Sequence, residues 1–366
     1  MTRRGWVSHV AAAALPFATG RALVWLGTEL GAFVAQGGVV PHTQPSDFFH
    51  WDALRYQSIW TGGYTNLEKA AFFPLYPYLV RWVGQVTGDQ VAALLIPNVA
   101  FALALVIFHA EVQSHTDGRR ANLATWALAI WPWSVFFSYP YTEALFLLLV
   151  VGSFRLMAVG RWALAGLVAA LAAATRFPGV LMVAAFGAEA AQFGRIWGRR
   201  KVTGPVLAAV LTPLGLVAFA LLLWRAIGDP LGFWHGQQLW VYYHRSPLFP
   251  IGEVVLMFEQ QNPFKTESLG LPVLLMFVAG AVWTLRNLPW RYGVFTAVTV
   301  LLFAYQGWHL GEYHSVPRYL LADFACFFAF GAFLARYDKL QVPWFAISAS
   351  LLVVEAALYG ANHFIG

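Results

Sequence analysis

The sequence predicts an all-α integral membrane protein that crosses the bilayer many times, and three observations carry that prediction. Of the 366 residues, 59% are hydrophobic and 11% charged, against about 25% charged in ordinary soluble domains. The apolar residues gather into runs close to the length of about 20 residues that a helix needs to cross hydrocarbon. Lys and Arg residues between the runs fall unequally on alternate sides, the bias that sets orientation in a membrane.

The first run, about 10 to 35, follows Arg3 and Arg4. Residues 1 to 20 are patterned like a signal peptide, but apolar sequence continues to Ala35, long enough to span and to be retained as the first helix. Arg21 and Glu29 lie eight residues apart in it, close to one helix face, and are expected to face protein. Further runs stand at about 89–111, 121–138, 141–158, 162–176, 178–194, 204–226, 269–286, 291–308, 317–335 and 342–362, which with the first makes about 11 spans. Pro97, Pro132 and Pro213 interrupt some of them.

With the N-terminus in the cytoplasm, 14 Lys and Arg residues fall inside, in clusters such as Arg119 with Arg120 and Arg195 with Arg199, Arg200 and Lys201. Eight fall outside, over about twice the loop length. The net charge of +6 is therefore read as inner-loop anchoring, and without a basic stripe it makes no case for nucleic acid. A single cysteine, Cys326, excludes an intrachain disulfide. No internal repeat, phosphate-binding glycine loop or linker divides the chain, so residues 1–366 read as one membrane domain.

Residues 45–86 are neither span nor free loop. Asp52, Arg55, Glu68, Lys69 and Arg81 are interleaved there with Phe, Trp and Tyr, and ionisable groups at a membrane edge are functional candidates by default. Residues 45–63 and 72–86 predict two interfacial helices. Reading 72–86 as a full span would put every later cationic loop on the wrong side. A second outer loop, 227–268, carries Trp234, His235, Trp240, Tyr242, Tyr243, His244 and Arg245, aromatic groups of the kind that cover sugar rings or sit at headgroup level.

Three pieces of the first loop follow in a recognisable order: WDALRY at 51–56, GGY at 62–64 and EKAAFFPLYP at 68–77. In that order and spacing they resemble the PIG-V (GPI mannosyltransferase 2) family of mannosyltransferases. Weaker matches are TEALF at 142–146 and PRYLL at 317–321. The resemblance implies a GT-C type fold and an enzyme, a hexosyltransferase that uses a polyprenyl-phosphate sugar, mannose in that family, on the extracytoplasmic face of the membrane. Arg55 and Tyr56 depart from the His-Phe of eukaryotic members. The D-x-x-R-Y spacing is similar to the aminoarabinose transferases of the same superfamily, and the chain reads as a prokaryotic relative.

Transfer from a lipid phosphate needs a base for the acceptor proton but no acid, because phosphate leaves as an anion. Asp52, beside Trp51, is the candidate base, and Glu68 the second. Fixed cations lower the barrier where the leaving phosphate gathers charge; Arg55, one turn after Asp52, Lys69 and Arg318 are the candidates, with snorkelling to headgroups the alternative for the last two. Trp51, Tyr64, Glu143 and Arg176 complete the expected substrate-binding set, Glu143 and Arg176 being equally readable as helix-end residues. His309, Glu312 and His314 have ligand chemistry, but H-x-x-E-x-H matches no strong metal signature, so no metal or other cofactor is expected beyond the sugar donor. The partners expected are that donor, a lipid, glycan or protein acceptor, and membrane lipid. Asp323 and Glu355, inside late runs, favour the alternative of a secondary transporter or lipid flippase; a scaffold protein would have no use for the grouped Asp, Arg and Lys.

Overall fold

The computed structural model describes residues 3–38, 48–197, 202–239, 269–310 and 315–365. Among them there is no strand. All 11 expected runs are helical, but they are not uniform rods. Gly5–Ala35, Asp89–His115, Phe177–Ile196, Thr203–Ile227, Gly270–Asn287 and Asp338–Gly360 are long and apolar enough to cross a membrane by length and composition. Val316–Ala322 and Cys326–Arg336 pass the same test together but meet at a bend of 93°, as a broken span or a re-entrant loop does.

Of the remaining runs, 291–308 lies in one continuous helix, Trp290–Leu310, and the others are shorter or broken, for reasons visible in the sequence. α6 (Gly118–Ala129) is capped by Asp117, whose side chain accepts from the Arg120 amide, and stops before a 3-10 turn opened by Pro132, a residue with no N–H to give a continuing helix. α7 (Glu143–Ala158) and α8 (Trp162–Ala173) follow. Pro213 divides α10 (Thr203–Leu211) from α11 (Leu214–Ile227), whereas Pro97 lies within α5 (Asp89–His115) without ending it.

α1 (Arg3–Ala35) packs along α17 (Gln341–Gly360), joining the two ends of the chain. A methyl group on Gly31 would overlap the carbonyl of Ala357, so the backbones meet as small residues allow in membrane helix pairs. Beside this pair the core is aromatic. Trp131 stacks on Phe330 and Phe154 on Tyr292, while Phe324 meets Phe154 and Phe328 edge to face.

Buried charges at the end of the bundle opposite the first loop pair with one another. Glu111, fully buried, accepts from the Tyr292 hydroxyl and lies 3.3 Å from Arg155, and Glu189 lies 2.9 Å from Arg291. Arg21 faces protein as expected, its guanidinium 4.7 Å from the Phe101 ring and donating to the Ser134 carbonyl at 3.2 Å.

Both interfacial helices are present. α2 (Asp52–Gly62) buries Ala53, Tyr56, Ile59 and Trp60. A four-residue turn, α3 (Leu67–Ala70), is capped by Asn66. α4 (Leu75–Thr87) buries Tyr76, Pro77 and Val80 and leaves Trp82 and Val86 exposed, the two-faced pattern of a helix lying in the interface.

Candidate active site

Four interruptions of helix meet on the side of the bundle that carries α2. Trp51, the residue before α2, has φ 54° and ψ −118°, a conformation that costs a non-glycine residue about 1 to 3 kcal/mol and that clusters at functional sites. Tyr139–Thr142 lead into α7. Thr175 and Arg176 separate α8 from α9 (Met182–Trp197), with Gly179 so close to Ala172 and Ala173 that a side chain there would meet their backbone. Val316–Tyr319 (α15) precede the bend, where Asp323 accepts from Thr296 at 2.9 Å. Irregular backbone at such depth is tolerated where it is buried in protein or lines a cavity.

The breaks deliver four charged groups to one point. Arg318, 3% exposed, places Nη1 2.7 Å from Asp52 Oδ2 and Nε 2.5 Å from Glu143 Oε1. Arg176 Nη1 lies 2.6 Å from the same Glu143 oxygen and donates to Thr142 Oγ1 at 3.0 Å. Two carboxylates therefore balance two guanidiniums. Aromatic faces complete the setting, with Arg318 4.6 Å from the Tyr141 ring and 4.7 Å from Phe136, and Arg176 5.3 Å from Tyr319. Each contact is of cation–π length.

Tyr56, on the buried face of α2, lies 3.3 Å from Thr142 Oγ1. Burial pushes its phenol above the usual tyrosine range, so it keeps its proton at neutral pH.

A cavity of about 330 Å³ opens against this cluster. Asp52, Tyr56, Arg176, Arg318 and Tyr319 form its polar end. Phe72, Phe73, Phe177, Phe233 and Phe303 make apolar walls, and Trp234, Gln237, Gln238, Tyr305 and Gln306 line it further. Trp234 and the two glutamines stand on α12 (Gly232–Gln238), held to the first loop by a hydrogen bond from Gln237 to the Ala71 carbonyl at 3.0 Å. A mostly apolar pocket with a few convergent charges has the character of a small-molecule site.

Of the residues singled out in the sequence, Asp52, Arg176, Trp234 and Arg318 line the cavity and Glu143 stands behind both arginines, 4% exposed. Thr142 makes no capping bond to α7; its hydroxyl serves Arg176. The others lie away from the cavity lining. Arg55 turns to Glu68 at 2.6 Å, both about two-fifths exposed. Lys69 donates to the carbonyls of Ser58 and Gly63, closing the turn after α2. Tyr64 is buried and donates to the Phe72 carbonyl, and Trp51 packs against Phe364.

Arg176 thus occupies the place at the cavity expected for Arg55 and Lys69. Helical spacing puts Arg55 one turn from Asp52, yet Asp52 opens the helix and is drawn inward by Arg318 while Arg55 meets its own acid outside. Tyr56, Tyr141, Phe303 and Tyr319 were not singled out for the site; burial of tyrosines around an arginine is a tertiary fact. Glu312, His314 and residues 240–268 lie outside the described residues, as does the His309 side chain. Among the described residues no group of three His, Cys, Asp or Glu gathers to hold a metal ion.

No protein-family model and no curated protein sequence matches this chain. Solved structures do match. ArnT from Cupriavidus metallidurans, bound to undecaprenyl phosphate, aligns over 95% of this chain and 64% of its own, with 14% identity and a TM-score of 0.59. The archaeal oligosaccharyltransferase AglB from Archaeoglobus fulgidus, in complex with an inhibitory peptide and a dolichol-phosphate, aligns over 100% of this chain and 57% of its own, with 12% identity and a TM-score of 0.51. The A. fulgidus oligosaccharyltransferase with Zn and sulfate gives 97% and 53%, with 14% identity and a TM-score of 0.50. The chain therefore spans between about half and two thirds of the length of the structures it matches. At such identities the likeness is one of fold: the chain is an all-α, polytopic membrane protein with the fold shared by these structures.

Proposed function

We propose that this chain is a membrane glycosyltransferase that moves a hexose from a polyprenyl-phosphate carrier to an acceptor hydroxyl, with inversion at the anomeric carbon. The observation that carries the reading is the Asp52–Arg318–Glu143–Arg176 cluster at the polar end of an otherwise aromatic cavity. It joins an available carboxylate to two cations that suit a phosphate. That two proteins of this fold have been captured with undecaprenyl phosphate and with a dolichol-phosphate supports a lipid-phosphate donor. The PIG-V resemblance supports mannose as the sugar, a prokaryotic membrane as the setting and the extracytoplasmic face as the side.

In the reaction so read, the acceptor O–H gives its proton to Asp52 while its oxygen bonds to the anomeric carbon. The bond from that carbon to the phosphate oxygen breaks, its electrons staying on the phosphate, and polyprenyl phosphate leaves. Arg318 and Arg176 meet the charge that gathers there. Glu143, behind them, fixes both guanidiniums toward the cavity. Because Arg318 holds Asp52 in the resting site, a phosphate arriving at Arg318 competes with the carboxylate and releases it to act as base.

The test is direct: purified protein in lipid nanodiscs, radiolabelled polyprenyl-phosphate-mannose and a membrane lipid extract. Transfer of label to an acceptor, abolished by Asp52→Asn, supports the reading. Failure to transfer from mannose and glucose carriers alike, or transfer from an aminoarabinose (pentose) carrier alone, with lipid, glycan and peptide acceptors supplied, sinks it.

A further inference from the structure

The turn that presents Asp52 is held by a residue from the far end of the chain. Tyr359, in the last turns of α17 and fully buried, lays its hydroxyl among the peptides preceding Asp52. It donates to the Phe48 carbonyl at 2.9 Å and accepts from the His50 amide at 3.2 Å. Tyr141, buried beside Arg318, donates to the His50 carbonyl at 3.2 Å. The peptide units on both sides of His50 are thus clamped just before Trp51 takes its positive φ, and Asp52 begins α2 with no side-chain cap to fix it. The Tyr359 ring is itself immobilised, stacked on Tyr139 at 3.9 Å and 14°, and the Tyr139 hydroxyl bonds to Thr28 of α1 at 2.7 Å.

We infer that Tyr359, with Tyr141, is a positioning residue for the transfer proposed above: its hydroxyl holds the strained 48–51 backbone so that the Asp52 carboxylate meets the cavity. The inference rests on Asp52 being the base and adds to it. A strained conformation persists only where its surroundings over-determine it, and these hydrogen bonds are the restraint. Without them Trp51 relaxes toward ordinary φ, α2 starts differently and the carboxylate swings away. Small misplacements of a reacting group cost as much as a hundredfold.

The test is Tyr359→Phe, which keeps the ring on Tyr139 and removes the hydroxyl. We expect kcat to fall about ten- to a hundredfold with donor KM not raised, and the thermal midpoint to fall only modestly as the Phe48 carbonyl and His50 amide lose this partner. A double-mutant cycle separates positioning from general structure: in an Asp52→Asn background, Tyr359→Phe causes no further loss, whereas a merely structural role costs the same in both. Full turnover in Tyr359→Phe, or equal losses in the two backgrounds, overturns the inference while leaving Asp52 as base; full turnover in Asp52→Asn alone overturns the base assignment instead.

Discussion

Asp52 Oδ2 stands 2.7 Å from Arg318 Nη1, so the candidate base and the candidate phosphate ligand neutralise one another before any substrate arrives. Two opposite outcomes should follow from the single change Asp52→Asn. Turnover should drop by roughly 10²- to 10⁴-fold, the ordinary worth of a general base, equivalent to about 3 to 5 kcal/mol of barrier. Binding of undecaprenyl phosphate should hold or tighten, because Arg318 loses an intramolecular competitor. Titrating the lipid phosphate into wild type and variant reads the second effect without turnover; weaker binding in Asp52→Asn would mean that the carboxylate does not compete for the site.

Glu143 is shared by Arg176 and Arg318. Removing a partner from a buried ion pair strands its charge, which costs about 3 to 5 kcal/mol. Glu143→Ala is therefore expected to lower the thermal midpoint sharply, and Glu143→Gln, which keeps a carbonyl acceptor and the shape, to lower it less. Equal midpoints for the two variants would show that packing, not charge, is what Glu143 supplies.

Arg55 and Glu68 form the contrasting case. Their pair is about two-fifths exposed on both sides, and exposed pairs contribute about 0 to 1 kcal/mol. Arg55→Ala should change stability within that range and raise donor KM far less than Arg318→Lys, which keeps the charge but loses the fork that grips two carboxylates. A donor KM in Arg55→Ala equal to that of Arg318→Lys would mean that Arg55 turns inward to the bound phosphate.

Arg55 and Arg176 also mark how far the sequence could be read. Apolar run length located the spans and the two interfacial helices, because hydrocarbon thickness dictates length and a break in the run is visible residue by residue. Asp52 stood out as one of several ionisable groups at a membrane edge, and the Trp-Asp pair of the PIG-V resemblance chose it among them. What linear spacing does not carry is which charges meet across the bundle. Arg55 is near Asp52 in sequence and pairs elsewhere, whereas Arg176, Glu143 and Arg318 come from three separate breaks. Tyr359 was invisible for the same reason: at the end of the last apolar run it reads as an interfacial aromatic anchor, and only the packing of α17 on α1, through Gly31, brings its hydroxyl to the peptides before Asp52.

The side of the membrane on which the cavity opens is open to direct test. Thr65 is exposed on the turn between α2 and α3, in the same loop as Asp52, so labelling there reports the side of the site. From the Lys and Arg bias we propose that this loop lies outside, where a carrier lipid presenting its sugar outward would be used. The native cysteine, Cys326, is fully buried at the bend and gives little background, so Thr65→Cys can be made in the natural chain. An impermeant thiol reagent should label this variant in intact cells as fully as in lysed ones. Labelling only after lysis would put the α2 side of the bundle in the cytoplasm, and the donor would then have to be one whose sugar faces inward.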